Sequence, residues 1–346
     1  MSGLSTPVGL SQSGDGRGSL RGRRVLVTGA GGFIGSHLTE ALLREGAEVR
    51  AFLRYNSRNT RGLLEELPEG DLREIEIIFG DLKDPAAVNR AVKGVEVVFH
   101  LGALIAIPYS YLNPTDFVQT NVLGTLNVLN SCLEYGVARL ICTSTSEVYG
   151  TLRYAPMDED HPLDARSPYA ASKVGADQLA LSYHRAFGLP VTILRPFNTY
   201  GPRQSLRAVI PTILVQALRS EVVYLGALHP TRDFNYVTDI VDAFLRAATA
   251  PGIEGEIVHV GTGREVSVRE LCEAVGRVLG VKVKVVQDQR RLRPAESEVL
   301  RLVCNPAKAR KLLGWEPRVS LEEGLARTAR WIQEHLPVTD PSYYHV

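Results

Sequence analysis

Residues 25–38 read Val25-Leu26-Val27-Thr28-Gly29-Ala30-Gly31-Gly32-Phe33-Ile34-Gly35-Ser36-His37-Leu38. A short apolar strand runs directly into glycines at positions 29, 32 and 35, and a helical pattern follows. The first glycine permits a tight turn, the second lets backbone N–H groups approach a pyrophosphate, and the third lets the new helix pack closely on the strand. The alternative is a junction whose glycines serve only the backbone. The strand and helix on either side favour a dinucleotide site.

Apolar strands alternate with amphipathic helices on both sides of this junction. The pattern predicts strands at 25–28, 48–53, 75–79, 95–101, 139–143 and 191–194. It predicts helices at 34–45, 85–92, 114–135 and 169–187. Strands that alternate with helices form parallel sheets, because each connection crosses one face of the sheet. We therefore predict an α/β fold with a Rossmann-type doubly wound parallel sheet.

The chain divides into three predicted regions. Residues 1–20 are rich in glycine and serine and are expected to form a flexible tail. Residues 21–195 form the predicted dinucleotide-binding domain, which includes the catalytic residues. The pattern then loosens, with helices near 206–219, 268–279, 306–313 and 321–335. We interpret 196–346 as a smaller substrate-binding lobe that returns some elements to the main sheet.

Composition excludes several classes of protein. The 346 residues are 45% hydrophobic, and 39 basic residues face 38 acidic ones, so no overall charge favours nucleic acid or an anionic membrane. No apolar run approaches the ~20 residues that a membrane span needs, and residues 1–24 lack the apolar core of a signal peptide. We expect a cytoplasmic protein. The four cysteines lack CxxC spacing, which argues against disulfides and a metal site.

Candidate catalytic residues follow the strand at 139–143. Thr145, Ser146 and Glu147 leave its carboxyl end, where open α/β sheets bind ligands. Tyr169 and Lys173 lie one helical turn apart on the same face of the next helix. A nearby ammonium and a cationic nicotinamide favour the phenolate form of such a tyrosine. A Tyr-x-x-x-Lys spacing alone is common, but together with the glycine loop it indicates a catalytic pair.

The end of the second strand bears on the choice of cofactor. Enzymes that use NAD usually end this strand with an acidic residue, which binds the ribose 2′-hydroxyl. Leu53 occupies the expected position, and Arg54, Ser57 and Arg58 follow it. These three residues could hold a 2′-phosphate, which favours NADP. They could also line a solvated loop, so both NAD and NADP stay open.

With these residues in view, the chain resembles the extended short-chain dehydrogenase/reductase superfamily, in the branch that modifies nucleotide sugars. The resemblance covers about residues 24–331. It implies that Thr145, Tyr169 and Lys173 oxidise the sugar at C4, with a tightly bound NAD or NADP that is recycled in each turnover. Further matching blocks are Gly80-Asp81-Leu82, His100-Leu101-Gly102-Ala103, Asn121-Val122-Leu123-Gly124-Thr125 and the run from Arg195 to Arg203.

The resemblance also implies which residues bind the ligands. For the cofactor, the glycine motif and the resemblance give Gly29, Gly32, Phe33, Ile34, Gly35, Asp81, Leu82, Leu101, Ala103, Tyr169 and Lys173, and the local chemistry after the second strand adds Arg54, Ser57 and Arg58. For a nucleotide-sugar substrate they are Asn198, Arg207, Arg232 and Arg293. Relatives usually take NAD, and many dimerise through two long helices. The resemblance therefore implies a homodimer that uses the helices at 114–135 and 169–187.

Within this branch the chain is most similar to nucleotide-sugar 4,6-dehydratases of the legionaminic acid pathway type. The strings at 103–111, 207–212 and 291–299 carry that likeness. One departure is Ser146-Glu147, where many 4,6-dehydratases have Asp-Glu; Ser-Glu also resembles GDP-mannose dehydratases and uronic acid decarboxylases. The resemblance implies a 4,6-dehydratase acting on a UDP- or GDP-linked hexose or N-acetylhexosamine. The alternatives are a 4-epimerase, a UDP-uronic acid decarboxylase and, more remotely, a non-catalytic dinucleotide-sensing protein.

Overall fold

A computed structural model describes residues 19–292 and 294–335. Most of the predicted tail, residues 1–18, lies outside the described residues. Leu20, at the end of that tail, is buried against the main core, and Gly22 N–H donates a hydrogen bond to the Gly46 carbonyl (2.8 Å). The ordered fold therefore includes the residues just before the first strand.

The described strands, in chain order, are β1 (Arg24–Thr28), β2 (Glu48–Arg54), β3 (Glu76–Gly80), β4 (Val97–His100), β5 (Arg139–Thr143), β6 (Val191–Pro196), β7 (Asn198–Tyr200), β8 (Val222–Leu225), β9 (Thr231–Arg232), β10 (Phe234–Tyr236), β11 (Ile257–Val260), β12 (Val266–Ser267) and β13 (Lys284–Gln287). Seven of them form one parallel sheet in the order β11-β6-β5-β4-β1-β2-β3. This order confirms the predicted Rossmann-type fold.

The described α-helices are α1 (Phe33–Arg44), α2 (Glu69–Arg73), α3 (Pro85–Val92), α4 (Ile107–Leu112), α5 (Pro114–Phe117), α6 (Gly124–Glu134), α7 (Pro168–Phe187), α8 (Val209–Ala217), α9 (Val237–Thr249), α10 (Val268–Leu279), α11 (Ala307–Leu313) and α12 (Leu321–His335). They cover both faces of the sheet. Side chains on β1 alternate between the two faces, so Val25 and Val27 pack into the core beneath α1 and α9. Leu26 packs into the other core, beneath α3, α6 and α7.

The predicted helix at 114–135 is interrupted. Residues Val118–Leu123 form a π-helical segment between α5 and α6. Its buried Asn121 accepts a hydrogen bond from Leu104 N–H (2.8 Å) and donates to the Leu104 carbonyl (2.9 Å) and to Ser172 Oγ (2.9 Å). π-Helical turns often occur at functional sites. Here the segment connects the loop after β4 to the N-terminal part of α7.

Two elements from the second half of the chain belong to the sheet layer. Strand β11 pairs with β6, with Ile257 opposite Ile193, and α9 packs beside α1. The sequence analysis predicted no helix at 237–249. The other elements after β6 form the smaller lobe, with the strand pairs β7/β10, β9/β12 and β8/β13. None of the helices in the described ranges is long and apolar enough to cross a bilayer.

Candidate active site

A cleft of about 690 Å³ opens along the carboxyl ends of the sheet strands. One side is formed by the glycine-rich loop after β1 and by the loops that follow β2 and β4. The other side is formed by residues that follow β5 and β6, together with Tyr169 from α7. Ligands of doubly wound sheets bind at this edge. The cleft therefore brings the predicted cofactor, substrate and catalytic regions together.

The glycine-rich loop has the geometry that a pyrophosphate needs. Gly29 has a φ of +72°, and a Cβ atom at Gly35 would lie 2.1 Å from the Gly29 carbonyl oxygen. Gly32 is the N-cap of α1 and forms no side-chain cap. The first N–H groups of this helix, from Phe33 and Ile34, are thus available to an anion in the cleft. These residues fit a dinucleotide, as the sequence predicted.

A buried chain of hydrogen bonds lies under the loop after β4. Thr125 donates its hydroxyl proton to the Asn121 carbonyl (2.6 Å), so it must accept from His100 Nε2 (3.0 Å). Burial lowers the pKa of His100 to about 3, so the ring is neutral and its Nδ1 accepts from the Thr28 hydroxyl (2.8 Å). Thr28 Oγ1 in turn accepts from Gly102 N–H (3.0 Å). This series of hydrogen bonds fixes the carboxyl ends of β1 and β4 relative to each other.

The predicted catalytic residues converge on the floor of the cleft. Thr145 caps a 3₁₀ turn that carries Ser146 and Glu147, and its Oγ1 accepts a hydrogen bond from Glu147 N–H (3.2 Å). Tyr169, in the first turn of α7, is hydrogen-bonded to Thr145. These four residues line the cleft. Lys173 lies behind them, fully enclosed by protein.

Burial dominates the titration of the tyrosine and lysine. It raises the pKa of Tyr169 above its ordinary value; the Thr145 hydrogen bond opposes this rise, and the charges of Glu147 and Asp177 add to it. It lowers the pKa of Lys173, which Asp177 opposes. Lys173 Nζ donates to the Thr143 carbonyl (2.6 Å). The protein alone therefore favours the neutral phenol, whereas the sequence analysis expected a phenolate promoted by Lys173 and a cationic nicotinamide.

The loop after β2 differs in detail from its prediction. Arg54 lines the cleft, but Ser57 and Arg58 are not among its lining residues. Asn56 organises the loop by accepting hydrogen bonds from the N–H groups of Arg58 (3.1 Å) and Thr60 (3.2 Å). Because of the course of this loop, four other residues line the cleft: Asn56, Thr60, Arg61 and Gly62. Gly62, with a φ of +63°, was a sequence signal for this turn.

Of four further residues that were predicted to bind the cofactor, two line the cleft and two do not. Leu101 and Ala103 line the cleft, whereas Asp81 and Leu82 do not. Asp81 Oδ1 accepts a hydrogen bond from Lys83 N–H (2.9 Å), which stabilises the turn after β3. Leu82 is buried, and its side chain packs against Gly102. Its contact with a cofactor would therefore be indirect.

Two of the four predicted substrate residues line the cleft: Asn198, at the start of β7, and Arg207, just before α8. Arg232 is buried outside the lining, where its guanidinium lies 3.7 Å from the Glu298 carboxylate. Arg293 lies outside the described residues. The apolar wall at 105–108 lies within the string at 103–111 that carries the family likeness, although none of its residues was named as a binding residue. The polar pair Gln204 and Ser205 was not predicted.

The described ranges contain no group of three or more His, Cys, Asp or Glu side chains arranged to hold a metal ion. All four cysteines are buried. Burial raises the pKa of Cys142 to about 12 and that of Cys272 to about 11. These thiols therefore stay protonated at neutral pH and pack as small apolar groups.

A family model described as GDP-mannose 4,6 dehydratase matches residues 26–328. A UDP-glucose 4-epimerase of Mycolicibacterium smegmatis is 34% identical, with 90% of this chain and 98% of that protein covered. A UDP-glucuronic acid decarboxylase of Arabidopsis thaliana is 35% identical, with 87% and 86% covered. The crystal structure of DesIV, a dTDP-glucose 4,6-dehydratase from Streptomyces venezuelae with NAD bound, matches with a TM-score of 0.81 at 34% identity, covering 90% of this chain and 97% of that chain.

These matches extend over the sheet, the cleft and most of the second lobe. They confirm the predicted superfamily branch, while the likeness to the legionaminic acid pathway type stays a prediction. The relatives catalyse three different reactions at similar identity, so the reaction must be argued from the site. The chain belongs to the GDP-mannose 4,6 dehydratase family, in the nucleotide-sugar dehydratase and epimerase branch of the extended short-chain dehydrogenase/reductases.

Proposed function

We propose that this protein is a nucleotide-sugar 4,6-dehydratase that uses NAD or NADP. Its substrate would be a hexose or N-acetylhexosamine linked to UDP or GDP, and its product the 4-keto-6-deoxy sugar. The observation that carries the proposal is the position of Glu147, which lies on the floor of the cleft next to Thr145 and contributes its charge to the environment of Tyr169. A carboxylate at this point has no role in C4 redox chemistry alone.

The residues around Tyr169 supply the first proton transfer. The phenol oxygen, in its deprotonated form, accepts the proton of the C4 hydroxyl, while Thr145 hydrogen-bonds the same hydroxyl and orients it. Lys173, as an ammonium, favours the deprotonated phenol. When bound, the dinucleotide supplies the redox chemistry at C4 and C6, and the glycine loop and α1 N-terminus would hold its pyrophosphate. The predicted tight binding and recycling of this cofactor belong to the proposal.

Glu147 and Ser146 supply the elimination. A ketone at C4 makes the C5 proton acidic, and the Glu147 carboxylate accepts that proton. The C6 hydroxyl then leaves as water, with its extra proton donated by Glu147 or relayed through Ser146. Glu147 then regains a proton from solvent and donates it to C5 when C6 is reduced, so one carboxyl group serves as base and then as acid. The Ser146-Glu147 pair is in this way sufficient for a reaction that many relatives carry out with Asp-Glu.

The test of this proposal is the product. We expect the purified protein, incubated with a panel of UDP- and GDP-sugars, to convert at least one of them to a product lighter by one water, as measured by mass spectrometry. A product of unchanged mass but altered C4 configuration would instead support a 4-epimerase. Loss of carbon dioxide from a uronic acid would support a decarboxylase. No conversion, with cofactor bound, would support the dinucleotide-sensing alternative.

For the cofactor, we propose a preference for NADP. Arg54 lines the cleft at the end of β2, where no acidic side chain would repel a 2′-phosphate. We expect Arg54→Ala to weaken NADP binding at least tenfold more than NAD binding, because a charge-assisted hydrogen bond contributes ~1.5–3 kcal/mol. Calorimetric titration of both cofactors measures this difference. Arg58→Ala, outside the cleft lining, is the matched control, and equal losses for NAD and NADP in Arg54→Ala would reject the preference.

We also propose that the protein is a homodimer, as the resemblance implies. Val118 and Leu123, in the π-helical segment, are 49% and 47% exposed and present apolar surface to solvent in a single chain. They lie within residues 114–135, which the resemblance assigns to the interface together with residues 169–187.

A further inference from the structure

Asp177 holds the end of the catalytic strand. It lies on α7, one helical turn after Lys173, and its side chain is 3% exposed. Its Oδ2 accepts hydrogen bonds from Ser144 Oγ (2.6 Å) and from Arg195 Nη2 (2.8 Å) and Nε (3.2 Å). Ser144 immediately precedes Thr145. Strand β5 is thus tied to α7 at two successive residues, since the carbonyl of Thr143 accepts from Lys173.

The same ion pair holds the turn that carries Glu147. Arg195 Nη1 donates to the hydroxyl oxygen of Tyr149, the last residue of that turn. Tyr149 is hydrogen-bonded to His259 Nε2 (2.5 Å), and His259 Nδ1 lies 3.2 Å from the Met157 carbonyl. Burial lowers the pKa of His259 to about 3, so the ring is neutral. A carbonyl can only accept, so Nδ1 carries the ring proton and Tyr149 donates to Nε2.

Asp177 also acts on Lys173 through its charge. The other titratable groups around the ammonium are Tyr169 on the same helix, His100 on β4 and Cys142 on β5. His100 is neutral, and burial keeps the Cys142 thiol protonated. Arg195 on β6 is paired with Asp177. The Asp177 carboxylate raises the pKa of the buried Lys173 and so opposes the effect of burial.

We propose that Asp177 is a positioning residue of the active site: through its hydrogen bonds to Ser144 and Arg195 it holds the segments that carry Thr145 and Glu147, one helical turn from Lys173. The inference rests on the proposed roles of Tyr169 and Lys173. It adds a residue that lies behind the cleft and touches neither ligand. Its role differs from simple packing, because we expect removal of its charge alone to move the titration of both Lys173 and Tyr169.

The test is Asp177→Asn, which keeps the shape of the side chain and removes its charge. Asp177 raises the pKa of both Lys173 and Tyr169, so its neutralisation moves both titrations to lower pH. We expect the ¹³Cε resonance of Lys173, in protein with labelled lysine and assigned by its absence in Lys173→Met, to titrate roughly one pH unit or more lower than in the parent. The whole pH–turnover profile should shift in the same direction.

Ser144→Ala is the matched control. It removes a hydrogen bond to Asp177 and keeps the charge, so turnover should fall while the Lys173 midpoint stays within experimental error of the parent. If Asp177→Asn does not fold, Asp177→Asn combined with Arg195→Gln leaves no unpaired buried charge. Its Lys173 midpoint should move in the same direction by a smaller amount, because loss of the Arg195 cation raises the pKa of the lysine. An unmoved Lys173 midpoint in the charge-neutral variant would overturn the inference. The resonance is read without substrate, so a failure of the proposed reaction is seen separately, as absent turnover in the parent.

Discussion

Tyr169→Phe is expected to remove nearly all turnover, by on the order of 10³-fold or more, while the binding of cofactor and nucleotide sugar stays close to that of the parent. The change removes one oxygen atom, which is the proposed proton acceptor and the hydrogen-bond partner of Thr145. The ring remains packed against Phe117, with its centroid 6.2 Å away. Structure and affinity should therefore survive the loss of chemistry.

Steady-state kinetics measures the expected loss of turnover, and calorimetric titration measures the expected retention of cofactor and nucleotide-sugar binding. Tyr154→Phe is the matched control, because Tyr154 is an exposed tyrosine whose hydroxyl bonds to Asp158 outside the cleft. It should keep parental turnover. If Tyr169→Phe kept a substantial part of the parental rate, the phenol would not be the proton acceptor and the assignment of the site would be wrong.

Glu147→Gln is expected to abolish the 4-keto-6-deoxy product while oxidation at C4 continues. The amide keeps the size of the side chain and can still accept one hydrogen bond, but it cannot take up the C5 proton. Tyr169 and Lys173 are unchanged. Nucleotide sugar mixed with excess variant should therefore produce the absorbance of reduced nicotinamide in a single turnover, without loss of water.

Deuterated solvent gives an independent measurement for the same residue. In the parent, the C5 proton passes through an exchangeable carboxyl group, so the product should carry solvent deuterium at C5. Glu147→Gln should incorporate none. Ser146→Ala separates the two residues of the pair: if Ser146 only relays a proton to the leaving hydroxyl, this variant should slow the loss of water and keep the exchange at C5. A parental product without deuterium at C5 would favour simple C4 epimerisation.

Six of the seven strands of the main sheet were predictable because their signals are local, whereas β11 was not among the predicted strands. Strand β1 and helix α1 follow from residues close together in sequence, and helices α3 and α10 have the predicted bounds. The helix at 237–249 was missed although Ile240, Val241 and Phe244 repeat at helical spacing and are buried. It follows glycine- and proline-rich segments that suggested only short elements. The helical spacing of apolar residues was therefore present in the sequence, but the glycine- and proline-rich segments before it led to the prediction of short elements only.

Other features depend on contacts that sequence spacing does not encode. The π-helical segment exists where Asn121 bonds to Leu104 and Ser172, and these partners come from two other elements. In the cofactor loop, a basic run identified the region, but the bonds of Asn56 decide which arginines reach the cleft. The sequence thus identified the regions that form the cleft, but not which residues of each region line it.

Strand β11 limits how the molecule can be divided. A cut near residue 196, between the predicted domains, would remove β11 from the open edge of β6 and α9 from the face beside α1. The first fragment would expose unpaired backbone groups along β6 and apolar side chains that α9 covers. The two lobes are therefore joined in their stability: we expect neither half of the cleft to fold as an autonomous module, and recombination with a relative would have to exchange β11 and α9 together with the nucleotide-binding half.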